Sequence, residues 1–173
     1  MPIRVVVNQD GTFSSSLFAA DYKMILPTGV GPYIASSDTT VVSVKNNQTM
    51  DIEVTPYYMV NNPTYTMSDS IVTATFGINK IITDARARDI QAVYLYINRL
   101  LTTDDSNNIA SVKLDGSSIT NMSSISMKVK MPPLSSLGLG ISTTQTTIFA
   151  RIGVQINNVN SWLYSPVQEI TIK

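Results

Sequence analysis

Between Ser124 and Met131 the chain alternates without a break: Ile125, Met127, Val129 and Met131 are apolar, while Ser126, Lys128 and Lys130 are polar. A period of two puts the two sets on opposite faces of a pleated strand, whereas a helix would scatter the apolar set around its circumference. Pro132 and Pro133 stop the run, because neither can donate to a ladder. The same period returns elsewhere. Ser70 to Ile78 sets Val72, Ala74, Phe76 and Ile78 against Ile71, Thr73 and Thr75, and Ile90 to Ile97 sets Val93, Leu95 and Ile97 against Tyr94 and Tyr96. Thr146 to Ile156 places Ile148, Ala150, Ile152, Val154 and Ile156 on one face. With Tyr65 to Met67, Ile109 to Leu114 and Tyr164 to Lys173, this makes about seven strands at the spacing of a β-sandwich. Asn79 to Asp89 reads as a polar connection with room for one helical turn, and Asn157 to Ser161 as a polar hairpin bend.

Upstream the strands are shorter. Ile3 to Asn8 and Thr12 to Phe18 flank Asp10-Gly11, a hairpin signal, and Tyr22 to Leu26, Val41 to Val44 and Met50 to Val54 follow. In the last of these, Ile52 and Val54 face away from Asp51, Glu53 and Thr55, and Pro56 then ends the ladder without starting a helix. Asn61, Asn62 and Pro63 read as turn formers, so a short, fairly rigid linker is expected near Thr55 to Tyr58. The fold class is therefore all-β, in two domains: residues 1–56 and residues 57–173. Five strands are few for a closed sandwich, so the first domain is expected to be incomplete.

Chemistry is narrowed by what is missing. The chain has no histidine and no cysteine, which removes thiol chemistry, disulfides, most transition-metal sites and any histidine base. Lys and Arg number 12 and Asp and Glu 12, a balance with no electrostatic footprint for nucleic acid or an anionic membrane. No apolar run approaches the ~18 residues of a membrane span, and MPIRVVVNQDG turns polar too soon for a signal peptide. Asp104-Asp105 and Asp51 with Glu53 are the carboxylate pairs that general acid and base work would need, but a polar loop and a wet strand face account for both. The loop Thr102 to Asn108 offers oxygen ligands for calcium without a spacing motif, and Leu137 to Ile141 has two glycines but no phosphate-loop lysine. No catalytic residue, cofactor or metal is expected, and the chain reads as a non-enzyme.

The combination of DGTFSSSLFAADYKM, VGPY, DTTVVSVKNNQTMDIEVTPYY and, near the end, ARIGVQINNVNSWLYSPVQEITI resembles a known family. It is similar to the Bacteroidetes outer-membrane lipoproteins of unknown function encoded beside SusC/SusD-type pairs in polysaccharide-utilisation loci. The resemblance implies a prealbumin-like (carboxypeptidase-regulatory-like) sandwich over residues 1–56, lacking its first strand or strands, and an immunoglobulin or fibronectin-III-like sandwich over 57–173. It also implies a cell-surface setting at the outer membrane, through a lipid anchor missing from this chain, with polysaccharide or SusC/SusD-type components as partners. Members usually have Gly before the tyrosine where this chain has Ala20-Asp21, and they begin with a lipobox cysteine that is absent here.

Two uses fit that setting. A noncatalytic accessory that binds glycan weakly would present an aromatic platform, and Trp162, the single tryptophan, lies beside the Asn157 to Ser161 bend where its ring would stack on a sugar. Tyr164, Tyr94 and Tyr96 are the supporting candidates, with Tyr33 behind them; the plainer reading has these rings covering the sandwich end and the sheet edges. A structural module docking on an outer-membrane transporter complex would instead show a flat apolar patch or an open strand edge. Thr39 and Ser70 sit in short Asp-Ser/Thr patterns of the kind O-glycosylated on exported Bacteroidetes proteins.

Overall fold

A computed structural model describes residues 2–27, 29–34, 39–133, 136 and 146–172. Its second unit is built from two antiparallel sheets. In the first, β5 (Tyr58–Ser68), β6 (Ile71–Lys80) and β9 (Ile125–Lys130) lie in the order β5-β6-β9. In the second, β7 (Ile90–Asn98) pairs with β8 (Ala110–Asp115) on one side and β10 (Thr147–Ile156) on the other. The far edge of β10 takes both β11 (Leu163–Tyr164) and β12 (Gln168–Thr171). A short 3-10 turn, Gly116–Ser118, follows β8 so tightly that a Cβ at Gly116 would lie 1.9 Å from the Ile90 carbonyl oxygen. Only glycine fits there.

The alternations meet where they should. Val72, Ala74, Phe76 and Ile78 of β6 and Ile125, Met127 and Val129 of β9 are buried against Val93, Leu95 and Ile97 of β7 and Ile148, Ile152 and Val154 of β10, in one apolar core. The fold is the all-β, two-domain sandwich class that the patterning predicts, with 46% of the described residues in strands and 3% in helix.

The first unit contains β1 (Ala20–Met24) paired with β3 (Thr40–Val44), and β2 (Tyr33–Ile34) paired with β4 (Thr55–Pro56). Met50 to Val54 is not a strand, although it alternates. Among the described residues nothing pairs with it, and Val54 stays 37% exposed; pairing begins only at Thr55-Pro56. The Asp10-Gly11 turn does form, with Asn8 N–H donating to the Thr12 carbonyl and Thr12 N–H to the Asp10 carboxylate. Its flanks form no strands, and Phe18 is 89% exposed. Asn79 to Asp89 holds a single Ala87-to-Asp84 turn and no helix.

Two further departures concern proline. Asn61, Asn62 and Pro63 are no linker but part of β5, where Asn61 pairs Gly77 and Thr64 pairs Thr75, so that two residues oppose Phe76 alone. This is a β-bulge on an edge strand, where proline withholds no needed donor. The last strand is likewise split: Gly153 pairs Tyr164 and Ala150 pairs Gln168, and the extra residue on the returning side falls around Pro166.

The junction between the units is pinned rather than loose. Tyr57 N–H donates to the Pro32 carbonyl (3.0 Å), and the Tyr58 hydroxyl, on a residue 1% exposed, donates to the Arg88 carbonyl (2.6 Å). Arg88 Nε reaches back to the Tyr57 hydroxyl at 3.2 Å.

Leu95, fully buried on the central strand, gives the sharpest test of this packing. Leu95→Ala is expected to lower stability by about 2–5 kcal/mol in urea titration, through lost transfer energy and the cavity left behind. A loss below about 1 kcal/mol would mean that β7 is not the centre of the core.

Candidate functional site

β7 is unusual in being covered on both faces. Val93, Leu95 and Ile97 enter the core, and pleating turns Tyr94, Tyr96 and Asn98 to the outer face of the five-stranded sheet. Across the ladder Tyr96 pairs with Arg151 and Tyr94 with Gly153, and Gly153 in turn pairs with Tyr164. A Cβ at Gly153 would lie 2.9 Å from the rings of both Tyr164 and Tyr96, so glycine leaves the space in which those rings lie across the sheet.

Trp162 joins them. Its indole meets Tyr94 edge-on at 5.0 Å between centroids, and lies nearly parallel to Tyr164 at 6.2 Å and 19°. Tyr94 and Tyr96 stack at 5.5 Å and 5°. Such pairs contribute about 0.5–1.5 kcal/mol each beyond the area they bury. Trp162, Tyr94 and Tyr164 are half-buried, so each keeps part of a ring at the surface. Tyr96 is a correction: at 1% exposure it supports the other rings and offers no face to a ligand.

A loop forms the polar rim. Asn98 Nδ2 donates to the carbonyls of Thr102 (3.0 Å) and Asn107 (2.9 Å), and one oxygen of Asp104 accepts the backbone N–H of Ser106 and of Asn107. Asp105 then closes the loop onto the rings: its N–H donates to the Tyr164 hydroxyl at 3.2 Å, and the Tyr96 hydroxyl donates to its carboxylate at 3.3 Å. Asp104 is thereby engaged in holding the loop, and among the described residues no group of three or more acidic side chains is placed to hold a metal.

Arg151 ties these parts together. It is 6% exposed and has no carboxylate in ion-pair contact among the described residues. Instead Nε donates to the Ser165 carbonyl (2.8 Å), a terminal nitrogen reaches the Thr103 carbonyl (3.4 Å), and the guanidinium lies 4.3 Å over the Tyr164 ring. Burial holds its pKa below the usual arginine value, yet a guanidinium stays charged at neutral pH. Carbonyl dipoles and an aromatic face stand in for a counter-ion. Arg151, Gly153 and Asn98 escape the sequence reading of the site, although an arginine and a glycine within the run IFARIGVQI are a visible interruption.

The remaining sequence candidates lie apart. Tyr33 is in β2, opposite Pro56. Asp51 and Glu53 are exposed on an extended segment, Thr39 is exposed just before β3, and Ser70 is exposed in the two-residue turn between β5 and β6, with φ +62°. Leu137 to Ile141 lies outside the described residues.

Comparison with known families places this geometry. The DUF3823 C-terminal domain of unknown function matches residues 58–169, and the N-terminal domain of the same protein family of unknown function matches residues 1–55. The chain belongs to the DUF3823 family. Crystal structures of DUF3823 proteins from Bacteroides ovatus and Parabacteroides merdae are 28% and 29% identical to it, with TM-scores of 0.82 and 0.83. Each match covers 99% of this chain, and 84% and 80% of theirs respectively. A Bacteroides uniformis protein proposed to bind carbohydrate shares the fold at 18% identity and a TM-score of 0.69, over 96% of this chain and 80% of that one. No curated protein matches. No helix among the described residues is long and apolar enough to cross a membrane.

Phenol burial in this DUF3823 protein, within the site and outside it, predicts a pH response. Burial pushes the phenols of Tyr58, Tyr65, Tyr96 and Tyr164 above the ordinary tyrosine value. The unfolded chain deprotonates near pH ~10, so above that pH the folded state holds more protons. Stability should be unaffected by these groups below about pH 10 and fall as pH rises beyond it. Tyrosinate absorbance from these four should therefore lag and rise together with alkaline unfolding. Titration of these four near the ordinary value in folded protein would contradict the packing.

Proposed function

We propose that this DUF3823 protein is a noncatalytic cell-surface accessory of polysaccharide utilisation that binds glycan weakly over the Trp162, Tyr94 and Tyr164 surface. One observation carries the reading: three partly exposed rings are gathered on one sheet face, braced by buried Tyr96 and Arg151, beside the carboxylate of Asp105. Rings stack on the apolar faces of sugars, and a rigid aromatic costs little entropy to present. An adjacent carboxylate accepts hydrogen bonds from sugar hydroxyls, which gives orientation to an otherwise nonspecific stack. The proposed carbohydrate binding of the Bacteroides uniformis neighbour supports this reading at the level of ligand class. The setting at the outer membrane, with a lipid anchor and SusC/SusD-type partners, belongs to the same proposal and rests on the sequence resemblance.

A second reading, an assembly module docking on an outer-membrane transporter complex, has its own observation. Ile3, Val5, Val6, Val7 and Phe18 of the first unit are exposed. Apolar surface of this kind marks contact sites when it is contiguous.

Native electrophoresis through a gel containing polysaccharide separates the two. Retardation of the wild type should be lost in Trp162→Ala, with affinity down about tenfold or more, as for other central aromatic contacts, while circular dichroism stays unchanged. A broad glycan array without a hit at millimolar sensitivity, together with a pull-down that recovers a transporter component, would transfer the function to the docking module.

A further inference from the structure

We propose a second ligand site, for a neutral saccharide, on the outer face of the three-stranded sheet. It lies across the sandwich from the aromatic surface, shares no residue with it, and stands or falls separately.

The site begins with the β5 bulge. Asn62 takes φ +46°, a left-handed conformation that asparagine tolerates better than most residues, and the bulge turns consecutive polar residues out of the regular ladder. The turn before β9 forms the opposite wall, fastened by the Ile78 N–H donating to the Met122 carbonyl at 2.7 Å. Gly77 makes the floor: a Cβ there would stand 3.1 Å from the Ser123 carbonyl oxygen, so any side chain would narrow the depression. What remains is an open concavity of about 390 Å³, near the lower end of the roughly 300–1,000 Å³ typical of small-molecule sites.

Its chemistry is selective. Asn61, Asn62, Asn79, Ser123 and Ser124 line the depression, the Ser123 hydroxyl donating to Asn121 Oδ1 at 2.6 Å and keeping its lone pairs. None of the three amides hydrogen-bonds another described residue, so each keeps two donors and an acceptor for a ligand. No lining residue carries a charge, and the one aromatic ring, Phe76, is buried. A cation would find no carboxylate and an anion no ammonium or guanidinium. A neutral sugar, whose hydroxyls both donate and accept, matches amides and hydroxyls alike. Recognition here would run through hydrogen bonds along the edge of the sugar, where the Trp162 surface would use its face.

The test is a titration of the isotopically labelled full chain with neutral xyloglucan and mixed-linkage β-glucan oligosaccharides, followed by nuclear magnetic resonance. Side-chain amide signals of Asn61, Asn62 and Asn79 should shift saturably, equally in wild type and Trp162→Ala, and in the Asn61→Ala/Asn79→Ala variant the remaining Asn62 signal should shift with at least about tenfold weaker affinity. Anionic oligogalacturonate should move them far less. Movement of the Trp162 indole alone would overturn this site and leave the aromatic reading standing. Amide shifts that vanish in Trp162→Ala would likewise overturn it, by assigning them to the aromatic surface. Silence at both places would overturn both.

Discussion

One strand, β7, is wrapped on both faces, and the rest of the second unit depends on that constraint. Its inner side chains meet β6, β9 and β10 in the core, while its outer ones are covered by rings and by the loop after it. A strand buried twice cannot slip register, because a shift by one residue would exchange Leu95 and Tyr96 between an apolar interior and a surface where a hydroxyl must reach Asp105. Stability and the candidate site therefore draw on the same residues. The rings are held by the same ladder that closes the sandwich.

Arg151 shows how the outer layer tolerates a charge. Removing a cation from water costs several kcal/mol in a protein interior, and a lone carboxylate partner would itself have to be desolvated. Two carbonyls and the face of Tyr164 avoid that second penalty, since they are dipoles and a quadrupole already fixed by the fold. The consequence is geometric. Through Ser165 the guanidinium holds the returning strand beside β10, and through Thr103 it holds the rim loop. Trp162 and Asp105 each lie within three residues of one of these anchors.

Much of the sandwich was legible because period two is a strong signal when both sheets bury one face. Val72 to Ile78 and Ile125 to Met131 needed no more than that. The same rule misled at Met50 to Val54, where alternation exists without a partner strand among the described residues, since a strand is defined by pairing and not by its own sequence. Proline misled in the opposite direction. Asn61-Asn62-Pro63 carries every mark of a turn, yet on an edge strand the missing donor costs nothing and the extra residue is absorbed as a bulge. At the site, Trp162 and its tyrosines could be named from residue type alone, but Tyr96 could not be sorted from Tyr94. Both alternate outward on β7; only the position of the covering loop buries one and leaves the other in part exposed. Arg151 and Asp105 were beyond reach because their roles depend on pairs separated by many residues.

In the proposed function, Trp162 stands in a braced aromatic surface on which a sugar ring lies. Because it is the single tryptophan, its fluorescence reports on that place alone. Acrylamide quenching measured with and without a neutral polysaccharide tests the claim directly. Saturating polysaccharide should shield the indole and lower the quenching constant, with a saturable change in emission. Unchanged quenching in a protein that the same polysaccharide demonstrably retains would place the binding elsewhere and contradict the account.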